Sequence, residues 1–308
     1  MPVESLISVV APLESDPPEA VEAFVEETIA VLRGLVTHYE IVLVDDGAPE
    51  ATVARVRDLL SRHDFVRFLR LSRHFGEETA ISAGLDVAIG DFVMVMLPNM
   101  DPPALISAFF QRARAEADVV YGVRLHRKTE PSWYRLGARA FYWYMNTVAK
   151  AGIPPDSTQF RCMSRQVVNA ITEIRGTDQY LRLLTSYIGF RKVGLPYAPL
   201  NRTGAAVVRP KGEALNLARA LVMDHTTQPL RLAVWAGAGV ALLSLAVRGT
   251  VAVPFVTIML VLALIGEYVA GLTRRLRDRP AYYVREEQTS SVLLREERVN
   301  VVGSTNAE

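Results

Sequence analysis

Residues Asp91–Ile106 read DFVMVMLPNMDPPALI. An apolar, β-rich run from Phe92 to Leu97 ends in polar and proline-rich residues, and a helical pattern starts near Pro103. The same unit recurs along the first part of the chain. LISVVAPL, YEIVLVDDG, VRFLRLS and DVVYGVR are the other strand candidates, and helical patterns lie at Pro18–Val36, Glu50–Arg62, Glu77–Ile89 and Pro103–Glu116. Continuous Val/Ile/Leu runs bounded by helices indicate strands covered on both faces, hence an α/β domain with a mostly parallel sheet. Ligands of such sheets bind beyond the carboxyl ends of the strands. That rule gathers Pro12–Asp16, Asp45–Gly47, Arg73–Gly76 and Pro98–Asp101 around one crevice.

The composition sets outer bounds. The chain has 308 residues, half of them hydrophobic, with 34 basic and 33 acidic residues and a formal net charge of +1. This length suits one sizeable α/β domain plus an appendage. The balanced charge argues against a nucleic-acid partner, which calls for a basic excess on one face. The single cysteine, Cys162, excludes an internal disulfide framework and suits a reducing compartment. The first apolar run, Leu6–Leu13, follows Glu4, is short and lacks a basic flank, so no secretory signal is expected.

Ser132–Ala151, SWYRLGARAFYWYMNTVAKA, mixes Trp and Tyr rings with Arg135, Arg139 and Lys150. That mixture on a helix suits a membrane–water interface, and it equally suits an amphipathic helix packed on the sheet. Further on, Leu232–Val247 and Thr250–Gly266 are apolar stretches of about 16–17 residues, the short end of what a ~30 Å hydrocarbon core requires. A short turn joins them, and TRRLRDR follows. The expectation is a two-helix transmembrane hairpin with its basic end, and the N-terminal domain, in the cytosol. A buried helical hairpin is the other reading.

At the strand ends, Asp45 and Asp46 precede Gly47. Carboxylates there can accept from a base N–H or a ribose hydroxyl, although Asp-Gly is also common turn chemistry. Arg73 and His74 end another strand, Gly76 permits close backbone approach, and a helix starts at Glu77. An Arg beside a helix N-terminus is a phosphate-binding arrangement. His74 by itself also reads as a surface-loop histidine.

Seven segments follow one another in order: IVLVDDGAPEAT, LSRHFGEETAISAGLDVAIGD, MDPPALI, DVVYGVRLHRK, IPPDSTQFRCMSRQVVNAI, YIGFRKVGLPY and LIGEYVAGLTRRLRDRPAYYVRE. Together they resemble the family-2 glycosyltransferases of the polyprenyl-phosphate type, which include dolichol-phosphate mannose synthases and undecaprenyl-phosphate glycosyltransferases. The resemblance implies a GT-A nucleotide-sugar-binding domain over residues 1–211, with 132–151 as an interfacial helix. It further implies a juxtamembrane helix at 212–228, the transmembrane hairpin at 229–272 and a basic, flexible tail at 273–308. The protein would sit in the inner membrane as a multi-pass enzyme, its catalytic domain facing the cytosol, with a homo-oligomer possible. It would pass a sugar from a nucleotide sugar to a polyprenyl phosphate with inversion at the anomeric carbon.

By motif position, the resemblance assigns Pro12, Glu14, Asp45, Asp46, Arg73 and Gly76 to the nucleotide sugar. Asp101, Arg124, Arg161 and Arg202 fall at the catalytic positions. Arg127, Lys128, Arg135 and Arg139 would meet the acceptor phosphate or the membrane surface. Each arginine also reads as a solvated surface charge.

The pattern breaks where the family holds Mg²⁺ or Mn²⁺ on an Asp-x-Asp motif. Met96 and Pro98 replace the carboxylates and Met100 replaces the supporting Gln. A thioether is a poor ligand for a hard cation and proline supplies none, so no metal ligand is assigned. Further departures are Glu14-Ser15-Asp16, Ala48, Gln159 and the AAVV run from Ala205. Two readings follow: a glycosyltransferase that stabilises its leaving group with Arg and Lys, or a catalytically inactive relative that binds lipid, nucleotide or a partner protein. A soluble nucleotide-binding enzyme of another kind is a third, against which the C-terminal hairpin pattern speaks.

Overall fold

The computed structural model describes residues 2–125, 132–148, 152–174, 180–202 and 281–290, with isolated positions between 234 and 269. The chain divides into two compact units, one of residues 1–129, 153–206 and 280–308, the other of residues 130–152 and 207–279.

The first unit is built on the expected alternation: β1 (Val3–Leu13), α1 (Pro18–Leu35), β2 (Val36–Asp45), α2 (Glu50–Arg62), β3 (Val66–Leu71), α3 (Glu77–Val87), β4 (Phe92–Val95), α4 (Ile106–Ala115) and β5 (Val119–Arg124). It continues with β6 (Ser157–Ser164), α6 (Arg165–Glu173), α7 (Leu181–Tyr187), β7 (Lys192–Tyr197) and β8 (Val284–Thr289). The eight strands form one sheet in the order β7-β5-β6-β4-β1-β2-β3-β8. All run the same way except β6, antiparallel to β4 and β5, and β8, antiparallel to β3. The sheet is therefore mostly parallel, as the sequence predicts.

Side chains alternate across this sheet, and both faces are covered. From β1, Ile7, Val9 and Ala11 enter one core with Phe24 of α1, Val56 of α2 and Phe109 of α4. Val10 enters the other, with Ala80 and Ile81 of α3 and Val167 of α6. The second layer lies so close to the sheet that a Cβ on Gly84 would come 2.3 Å from Val10 Cγ1.

Element ends explain the small differences from the sequence reading. Val36 is extended and opens β2 instead of closing α1. β4 stops at Val95, two residues early, because Leu97 donates its N–H to the Asp101 carboxylate at 2.8 Å. Before α4, Pro103–Leu105 form a single 3₁₀ turn. Pro102 cannot donate a backbone hydrogen bond and stays extended. The sequence reading did not foresee β6, β7 or β8.

In the second unit, α5 (Ser132–Trp143) runs into one π turn, Tyr144–Val148. The described positions between 234 and 269 are helical and include exposed Trp235, Phe255, Ile258 and Leu262. The apolar stretches 232–247 and 250–266, the segment 212–228 and the tail beyond 290 otherwise lie outside the described residues. One expectation is corrected here. Among the described residues no helix is long and apolar enough to cross a membrane, so the multi-pass inner-membrane localisation is not supported. A span needs about 20 apolar helical residues to match ~30 Å of hydrocarbon.

Candidate active site

Asp45 ends β2 and Asp46 follows it, beside the residues that follow β1 and β3, and both are 1 % exposed. Asp45 Oδ1 accepts from Gly47 N (3.0 Å) and Ala48 N (2.7 Å), while its Oδ2 faces Arg70 Nε at 3.0 Å. Asp46 reaches across to the loop after β3, accepting from Phe75 N and Gly76 N at 2.7 Å each. His74 Nδ1 lies 2.9 Å from the Asp46 carbonyl and 3.0 Å from its carboxylate, and Nε2 lies 3.5 Å from Glu14. The hydrogen bond to that carbonyl and the nearby carboxylates raise the His74 pKa above its ordinary value. Burial raises Asp46, against the pull of the Phe75 and Gly76 amides. Gly47 and Gly76 have φ of +101° and +102°, conformations that side chains with a Cβ rarely adopt. The two aspartates thus first organise the backbone of two strand-end loops.

The turn after β4 is organised from within. Asp101 is 1 % exposed; Oδ2 accepts from Leu97 N, and Oδ1 from Tyr197 Oη at 2.6 Å. Tyr197 also contacts Thr158 Oγ1 at 3.2 Å, so the turn is tied to the end of β7 and the start of β6. A Cβ on Gly122 would meet Tyr197 Cε1 at 2.6 Å, so β5 carries glycine where the ring crosses it. Burial pushes the Asp101 pKa up to about 7, opposed by the Tyr197 and Leu97 hydrogen bonds and by the charge of Arg124. Arg124 ends β5, near enough for its charge to act on Asp101.

The family's metal does not fit these residues. Met96 is completely buried in the core, Pro98 offers no side-chain ligand, and both Asp101 oxygens already accept hydrogen bonds. Among the described residues no three His, Cys, Asp or Glu side chains are placed to share a metal ion.

The remaining candidates are spread more widely. Pro12 is buried in β1 and Glu14 is exposed just past it. Arg73 is exposed and stacks over the Phe75 ring at 4.7 Å. Arg161 is 2 % exposed; it donates to Thr158 O and Leu181 O and contacts the Thr185 hydroxyl of α7. Arg202 makes a forked pair with Glu27 of α1, at 2.9 and 2.5 Å, and donates Nε to Pro98 O at 3.1 Å. With Leu200 N on Met100 O at 2.7 Å, this straps residues 200–202 onto the β4 turn. Arg139 is exposed in the second unit. Arg127 and Lys128 lie outside the described residues, as does the side chain of Arg135.

Sequence reading had not singled out Arg70, Glu78 or Tyr197. Arg70 carried a signal, a cation inside an apolar strand. Glu78 and Tyr197 gave none, since their partners Gln159 and Asp101 are 81 and 96 residues away.

The sequence profile of Glycosyl transferase family 2 matches residues 19–171, which span β1's successor helix through α6 and hold most of this edge. Residues 19–171 carry a Glycosyl transferase family 2 domain. It is similar over most of its length to an uncharacterized glycosyltransferase of Synechocystis sp., at 27 % identity over 90 % of this chain and 94 % of that protein. It is also similar to the bactoprenol glucosyl transferase of Shigella phage SfV, at 28 % identity over 92 % of this chain and 99 % of that protein. Among solved structures, glucosyl-3-phosphoglycerate synthase from Mycobacterium tuberculosis superimposes with a TM-score of 0.51 at 17 % identity, covering 71 % of this chain and 78 % of that one. That likeness shows the GT-A-like fold. In open α/β sheets ligands bind in the crevice beyond the carboxyl ends of the strands. Here that edge carries the exposed imidazole of His74 and, close to Asp101, the charge of Arg124.

Proposed function

We propose that this glycosyltransferase moves a hexosyl group, a glucosyl group by its relatives, from a nucleotide sugar to a polyprenyl phosphate. We also propose that it does so without a metal on the β4 turn. The observation that carries the acceptor is the full-length similarity to bactoprenol glucosyl transferases. Loss of the metal rests on Met96, Pro98 and the fully engaged Asp101.

The chemistry asks little of a base. A phosphate oxygen of the acceptor is already anionic and attacks the anomeric carbon. The bond from that carbon to the donor diphosphate breaks, and the nucleoside diphosphate leaves with the electron pair. Configuration inverts. The demands are orientation and charge stabilisation on the departing diphosphate.

In this reading Pro12, Glu14, Arg73 and Gly76 border the donor, and Asp45 and Asp46 hold the loops that shape its nucleotide pocket. Arg124 faces the phosphates, and the acceptor role of Arg127, Lys128, Arg135 and Arg139 rests on the sequence resemblance alone. Asp101 is a positioning residue, since it is 1 % exposed and each of its oxygens already accepts a hydrogen bond from the protein. Arg161 braces β6 against α7, and Arg202 reaches phosphate only by leaving Glu27.

Calorimetry with nucleotide hexoses headed by UDP-glucose, in Mn²⁺ and in EDTA, tests the proposal when followed by transfer to undecaprenyl phosphate in detergent. Equal binding in both and a labelled lipid product are expected. Binding that requires Mn²⁺ would overturn the metal-free step. Absence of binding to every donor would overturn the donor reading, and binding without transfer would favour the inactive-relative alternative.

A further inference from the structure

Two side-chain amides at the carboxyl edge share one arrangement. Gln159 of β6 donates Nε2 to Oε1 of Glu78, in the first turn of α3, and the other Glu78 oxygen accepts from Leu181 N at 3.0 Å. Asn99, in the turn after β4, donates Nδ2 to Asp16 Oδ1 at 2.5 Å. An ionised carboxylate has only acceptors to offer, so in that state it turns each amide with its NH₂ toward the acid and its carbonyl away. Both carbonyl oxygens are buried, and among the described residues neither has a hydrogen-bond partner. Gln159 as a whole is 5 % exposed.

Buried acceptors without a donor are uncommon in folded proteins, and each calls for a missing partner. That partner is a proton donor or a cation. Ionised phosphate oxygens are acceptors and cannot satisfy a carbonyl, whereas a sugar hydroxyl can. The place is also right for a donor ligand. Arg161 pairs across the antiparallel ladder with Val95, the last residue of β4. Gln159, two residues earlier, therefore stands just beyond the end of that strand, under the N-terminus of α3.

We propose that Gln159, its amide turned by Glu78, is a specificity-determining residue whose carbonyl accepts a hydrogen bond from one hydroxyl of the transferred sugar. The inference rests on the donor reading above and deepens it by naming the residue and the part of the ligand it reads. An amide cannot serve as a base at this position, so its contribution is recognition. Glu78 acts through it as a positioning residue.

The test compares the accepted nucleotide hexose with its 2-, 3-, 4- and 6-deoxy analogues, by kcat/KM and by calorimetry, in the unaltered protein and in Gln159→Leu. One deoxy analogue should lose roughly tenfold against the parent sugar in the unaltered protein, the size of one neutral hydrogen bond. Gln159→Leu should abolish that one preference and leave the other three ratios unchanged. Glu78→Gln should weaken the same preference, because an amide at 78 no longer fixes which way Gln159 faces. A purely structural role would lower all five donors by one factor, and that result would overturn the proposal. So would equal use of all five by the unaltered protein, which needs no variant to fold. In both cases the donor reading stands. Failure of the unaltered protein to bind any nucleotide hexose would overturn that reading and this inference together.

Discussion

Replacing Asp101 by Asn should remove a pH dependence that the wild-type fold carries. The carboxyl sits at 1 % exposure, and burial raises its pKa from 3.8 to about 7. A raised acid favours folding while protonated, so its contribution is fully present below about pH 4 and is lost as pH rises through about 7. At 1.36 kcal/mol per pH unit, a shift of about three units is worth about 4 kcal/mol in all, of which about 2–3 kcal/mol falls between pH 5 and pH 8. Asn keeps an oxygen for Leu97 N and presents an NH₂ that the Tyr197 oxygen can accept. Urea unfolding of both proteins, followed by tryptophan fluorescence at several pH values, gives the difference directly. Asp16, Asp46, Glu78 and Asp86 are also raised by burial, so the wild-type slope alone does not isolate Asp101. The difference between the two proteins does. Asp101→Asn should gain on wild type by about 2–3 kcal/mol from pH 5 to pH 8. A difference that stays flat within about 0.5 kcal/mol would refute the claim that this carboxyl carries an unfavourable charge at neutral pH.

Three further outcomes are expected. Tyr197→Phe deletes the 2.6 Å hydrogen bond to Asp101, so Asp101 should titrate higher and stability at pH 8 should fall by about 1–3 kcal/mol, read from the same unfolding curves. Gly84→Ala drives a methyl to 2.3 Å from Val10 Cγ1, and overpacking of this kind should lower stability by about 1–3 kcal/mol in thermal or urea melts. Glu27→Gln breaks the fork to Arg202 at a half-exposed site, so stability should change by less than about 1 kcal/mol. Donor affinity should not fall with it, since Arg202 is then released toward phosphate; weaker binding in calorimetry would count against that role.

The central strands were legible because each is an apolar run covered on both faces, and such runs stand out between amphipathic helices. β7 and β8 were not, for the opposite reason. β7 is mostly half-buried, and β8, VREEQT, is polar and largely exposed. Its place beside β3 depends on long-range contacts such as Arg57 with Glu286, 229 residues apart. The site shows the same division. Strand-end aspartates, Gly76 and the loss of the metal carboxylates could be read residue by residue. That Arg161 is buried against α7, and that Arg202 is paired with Glu27, could not, because a single arginine in sequence looks the same solvated or buried.

The amino-acid sequence by itself determined the α/β class, the mostly parallel sheet, the resemblance to family 2 glycosyltransferases and the absence of carboxylates at Met96 and Pro98. These follow from local pattern and from the chemistry of single side chains. Only the tertiary structure decided which polar atoms are already satisfied. Asp45, Asp46 and Asp101 have their oxygens engaged by backbone amides, Arg70 and Tyr197, while Asn99 and Gln159 keep buried carbonyls that no described residue answers. Hydrogen-bond satisfaction depends on groups brought together from distant parts of the chain, and no local pattern encodes it.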